Sequence, residues 1–138
     1  IVLLVEHGRL PEKDNLAHGW TSPAVVAAAK MRAAEIAYAI VERTGGRKTY
    51  LTFDIDCLDP AFAPGTGTPE PGGLLPREAL RAVRRVAREG LCGLEVVEIA
   101  PPYDVADITS HLGARIMMDV LGTLVQHGHL GSLPGASG

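Results

Sequence analysis

Apolar residues follow two rhythms along this chain. Ile1-Val2-Leu3-Leu4-Val5 is an unbroken β-branched and leucine run, the pattern of a buried strand. Residues 6–21 are polar and aperiodic and read as a loop. Ser22-Pro23 then offers an N-cap and a first-turn proline. Val26, Ala29, Ala33, Ile36, Ala37 and Ile40 follow at helical spacing until Gly45-Gly46 stops them. Tyr50 to Asp56 predicts a strand. Cys57 to Leu75 carries four prolines together with Gly65, Gly67, Gly72 and Gly73, too many for regular structure. A loop of that length inside a compact domain is usually functional or disordered. Pro76 opens a second helix with Leu80, Val83 and Ala87 on one side, closed by Gly90. Gly93 to Ile99 predicts another apolar strand, stopped by Pro101-Pro102. Asp107 or Thr109 is expected to cap a third helix whose Leu112, Ile116, Val120 and Leu124 share a face.

Strands alternating with helices imply an α/β fold, paired in parallel through right-handed crossovers. No repeat or linker divides residues 1–130. The expected organisation is one unit over 1–138: 1–21 unplaced, 22–130 an α/β core, and 131–138 a flexible Gly/Ser/Pro-rich tail.

Composition narrows the function classes. At 46% hydrophobic and 21% charged over 138 residues, the chain is of globular type. A net charge of −3 argues against a basic nucleic-acid footprint. No segment nears the roughly 20 apolar residues of a membrane span, and the opening run is too short for a signal-peptide core. Two cysteines, Cys57 and Cys92, are too few for a disulfide framework; they fit a reducing compartment, and the expected location is cytoplasmic, although the two could also pair with each other. The chain opens on isoleucine rather than methionine, so part of a longer chain is expected.

The chemistry centres on Asp54-Ile55-Asp56. In a strand, residues i and i+2 share a face, so the two carboxylates are expected to project together. Two acids on one face of an apolar strand are costly unless compensated. A divalent cation compensates them directly, and oxygen ligands suit magnesium or manganese. The alternative is a carboxylate pair hydrogen-bonded to loop amides; spacing alone does not separate the two. Position favours the metal, because the C-terminal edge of a parallel sheet is where ligands bind. Glu98, at the end of the next strand, reaches the same edge and could accept a cationic substrate group, or pair with a nearby arginine. The loop Pro64-Gly65-Thr66-Gly67-Thr68-Pro69 lacks the phosphate-loop pattern and reads as a structural turn. His7, His18, His111, His127 and His129 show no metalloprotease spacing; His127 and His129 are expected to be solvated and His111 to pack or face solvent. Cys57 reads as a small loop residue, not a nucleophile.

Thr52 to Pro69, running on to Gly72-Gly73-Leu74, resembles the third signature of the ureohydrolases, the family of arginases and agmatinases. Glu95 to Asp104 and Asp107-Ile108-Thr109 continue the likeness, nearer to agmatinases. It covers residues 47–127 well and 22–46 loosely. The resemblance implies a three-layer α/β/α fold with a parallel sheet, arginase-like, of which this chain is the C-terminal part. It implies hydrolysis of a guanidino substrate to urea and an amine at a binuclear manganese (Mn2+) centre. By position, Asp54 would bridge two ions, Asp56 would bind one, and Glu98 would orient the guanidinium. It further implies a homo-oligomer, trimer or hexamer, acting on a small molecule, with neither nucleic acid nor membrane as partner. The family's Gly-Gly-Asp-His and Asp-Ala-His-x-Asp motifs do not occur in this sequence, and with them go the remaining ligands and the proton-shuttle histidine. A remnant without turnover is the rival expectation.

Overall fold

A computed structural model describes residues 2–6, 33–44 and 46–131 of the chain. Its elements in order are β1 (Val2–Glu6), α1 (Ala33–Thr44), β2 (Thr49–Asp54), α2 (Pro76–Ala87), β3 (Gly93–Val97) and α3 (Ile108–Gln126). His7, His18 and the expected helix start at Ser22-Pro23 lie outside the described residues.

The three strands form one sheet in the order β1-β2-β3. β2 and β3 are parallel, with Tyr50 opposite Gly93 and Asp54 opposite Val97. The expectation of parallel pairing fails at β1, which runs antiparallel to β2, from Val2 opposite Phe53 to Glu6 opposite Thr49. An uninterrupted apolar run looks the same in either direction, and a long connection lets the chain enter the sheet from either end. Gly93 has a packing role: a Cβ there would meet the Tyr50 ring at 2.4 Å, so the ring lies over the glycine on the neighbouring strand.

The core forms where α2 and α3 cover the sheet. Leu51, Phe53 and Ile55 are fully buried against Ala79, Val83 and Ala87 of α2 and Ile116, Val120 and Leu124 of α3. The buried stripe of α2 is Ala79, Ala82, Val83, Val86 and Ala87, a helical repeat built mostly on alanine. Leu80, expected on that stripe, is half-buried at its border. Small side chains let α2 pack on two sides, and its Ala82 and Val86 also receive Ala37 and Ile40 of α1. Pro76 opens α2, Glu78 accepts from the Leu75 N–H at 2.9 Å, and Gly90 follows the helix with φ near +87°. Asp119 of α3 draws Arg84 of α2 and Arg115 of its own helix into one ion cluster.

Candidate active-site edge

β2 ends at Asp54, two residues sooner than the expected strand. Ile55–Cys57 is a single 3-10 turn, and Asp54 caps it by accepting the Asp56 N–H on Oδ1 at 2.9 Å. The shared-face argument for Asp54 and Asp56 is therefore corrected. The two acids are joined by a turn, because a short carboxylate offers the backbone a local acceptor that competes with the sheet ladder. Both remain at the C-terminal edge of the central strand, and both are half-buried.

The loop that follows is pinned rather than loose. Asp59 N–H donates to the Leu74 carbonyl at 3.0 Å and Leu74 N–H to the Cys57 carbonyl at 2.8 Å, closing the loop base. Gly73 sits at that base, where a Cβ would fall 2.5 Å from the Leu58 carbonyl carbon. Backbone N–H groups of Ala61 and Gly72 hold the Asp59 carboxyl below its ordinary range. The hydroxyls of Thr66 and Thr68 donate to Asp56, one to each carboxylate oxygen. The loop read as a structural turn thus reaches a candidate ligand through its threonines.

Glu98 stands one residue beyond Val97, the register partner of Asp54, and so shares the edge with the aspartates. It is exposed, and its backbone is left-handed, with φ near +66°. A non-glycine residue in that region is strained, and such strain gathers at functional sites. Sequence pattern carried no sign of it.

The N-terminus of α3 holds another surprise. Asp107, one of the two expected caps, makes no side-chain cap bond, and its backbone is left-handed. Thr109, the other, lies inside the helix. The capping anion is Asp104, which accepts from the Thr109 N–H at 2.9 Å and from the Ser110 N–H and hydroxyl at 2.8 Å. Partial burial opposes its ionisation, but these bonds from Thr109 and Ser110 prevail and hold the Asp104 carboxyl at about 2. The sequence signal was a carboxylate followed five residues later by Thr-Ser, a spacing wider than the usual cap.

Other candidates separate from the edge. His111 is exposed on α3. His129 is exposed as expected, yet its Nε2 lies 2.8 Å from the Arg88 carbonyl, so it is tied to the end of α2. Burial pushes the Cys57 thiol up, which suits a packing role beside the core rather than a nucleophile.

The donor set at the edge fits a hard divalent cation in kind, being carboxylate oxygen. Among the described residues its two candidate ligands, Asp54 and Asp56, fall short of the three or more protein ligands that catalytic metals take. Among the described residues no group of three or more His, Cys, Asp or Glu side chains could hold a metal. Among them, too, no helix is long and apolar enough to cross a membrane.

Known proteins are similar to this chain in sequence and in fold. Agmatinase of Proteus mirabilis is 52% identical over 82 residues, which cover 59% of this chain and 27% of that protein. Proclavaminate amidino hydrolase of Streptomyces clavuligerus matches in structure with a TM-score of 0.65 and 44% identity, over 69% of this chain and 32% of that one. A hypothetical agmatinase of Burkholderia thailandensis matches with a TM-score of 0.64 and 49% identity, over 70% and 31%. The chain thus spans about a third or less of the length of these relatives, and its elements form part of an arginase-like α/β fold. The sequence profile of the Arginase family matches residues 7–122, and the chain belongs to that family.

Proposed function

We propose that this chain forms part of the site of a guanidino-substrate hydrolase of the agmatinase kind, which releases urea and an amine from agmatine or a related compound. One observation carries the reading. Asp54, Asp56 and Glu98 gather at the C-terminal edge of two adjacent parallel strands, in a member of the Arginase family. Agmatinases among the relatives favour agmatine, and the amidino hydrolase keeps the guanidino class open. Asp54 and Asp56 would hold manganese, as two members of a larger ligand set. Bound there, the metal would supply Lewis-acid activation of water for hydrolysis at the guanidinium carbon. Glu98 would accept the planar N–H fork of the guanidinium on both carboxylate oxygens. That contact would turn the central carbon toward the aspartate edge. Thr66 and Thr68 would keep Asp56 in one orientation, as hydrogen-bonded neighbours of metal ligands do. The same proposal makes the enzyme cytoplasmic, part of polyamine metabolism and homo-oligomeric.

The shortage of donors among the described residues favours a second reading, a folded family member without turnover. A graft separates the two. The homologous 82-residue segment of the Proteus mirabilis agmatinase is replaced by that of this chain, and urea release from agmatine is assayed with manganese. Retained release supports the enzyme; a folded graft without urea supports the remnant. The 138-residue chain by itself should release no urea in either case, and turnover by it would overturn the partial-site reading.

A further inference from the structure

Thr109 is fully buried in the first turn of α3, and its hydroxyl does something unusual for that place. A helical threonine commonly turns its hydroxyl back onto its own helix, as Thr123 does by donating to the Asp119 carbonyl at 2.7 Å. The Thr109 hydroxyl instead accepts the buried N–H of Gly65, 44 residues away, at 2.8 Å. Gly65 is gripped on its other sides as well. Its carbonyl accepts from the Ala100 N–H at 2.8 Å, and a Cβ on it would fall 2.6 Å from that of Asp104. The next residue, Thr66, bridges to Ile99 and donates its hydroxyl to Asp56. Hydrogen bonds and one peptide link thus run without a gap from Asp104 through Thr109, Gly65 and Thr66 to Asp56.

We propose that Thr109 is a positioning residue for the Asp56 carboxylate, acting through Gly65 and Thr66. Valine would fill the same volume and pack as well. What it lacks is the hydroxyl, which accepts from Gly65 and also helps hold the Asp104 carboxyl; without it the Gly65 N–H is buried and unpaired. The loop then recedes from α3 and takes the Thr66 hydroxyl with it. The inference rests on the reading of Asp56 as a site residue, but it concerns how the carboxylate is held. It can therefore be read without metal.

The test uses the whole 138-residue chain with labelled aspartate carboxyls, followed by NMR. Thr109→Val should speed exchange of the Gly65 amide about tenfold, the worth of one buried hydrogen bond. It should also displace the Asp56 carboxyl resonance. Thr109→Ser keeps the acceptor and should restore both. Thr123→Val removes a buried hydroxyl from the same helix and should move neither. An unmoved Asp56 resonance in a folded Thr109→Val chain overturns the proposal, as does failure of Thr109→Ser to restore it. Should Thr109→Val not fold, Thr66→Val tests the other end of the path. It should displace the Asp56 resonance while Gly65 exchange stays near parental, and an unmoved resonance again overturns the proposal. None of these readouts involves manganese. An Asp54→Asn variant that kept its metal would sink the metal reading alone.

Discussion

Glu98 joins two demands that conflict in most proteins. It holds a charged side chain at an exposed edge and a backbone angle that favours glycine. Strain of this kind persists where the side chain earns its place through function. Glu98→Gln preserves size and removes the charge. In a complete enzyme carrying this segment it should cut kcat/KM by about 2–4 kcal/mol of transition-state stabilisation. Manganese content should not change, and loss of metal with activity would contradict the orienting role. Gly65 carries a different constraint. A methyl there would collide with Asp104, including its backbone Cα at 2.8 Å, so the neighbour cannot simply rotate away. Gly65→Ala should cost about 1–3 kcal/mol in chemical denaturation. A neutral result would show that the loop does not pack against the Asp104 segment before α3. The three acids of the edge were legible in the sequence because carboxylates after apolar strands are conspicuous. Thr109 and Gly65 were not, because their meaning lies in one bond between positions far apart in the chain.

At the scale of elements, periodicity located the helices better than it located their ends. Ile116, Val120 and Leu124 are buried as their spacing predicts. The cap of α3 was misread because the turn before it is folded by left-handed Ala106 and Asp107, which brings Asp104 back onto the helix start. The carboxyl of Asp104 is lowered to about 2, so its stabilising effect is complete above its unfolded range near 4. That effect fades as pH falls from about 4 through about 2. Thermal melting of the chain should show this acid-side loss, and Asp104→Ala should melt lower at neutral pH and lose stability less steeply below pH 4. Parallel acid slopes in the two chains would remove Asp104 from the stability balance. The direction of β1 was the other failure at this scale, since a five-residue apolar run specifies burial and not orientation.

At the scale of the whole molecule, the described residues present a site edge whose donors are correct in type and fewer than a catalytic metal takes. Asp54 is the most exacting of them, because in the proposed site it would be shared by both ions. Losing a shared anionic ligand should weaken both sites at once. The direct measurement is the manganese content, by elemental analysis, of the agmatinase graft bearing this chain's segment with and without Asp54→Asn. The unmutated graft should hold manganese, and Asp54→Asn should lose most of it while remaining folded. A folded Asp54→Asn graft with its full complement of manganese would contradict the assignment of this edge as a metal site.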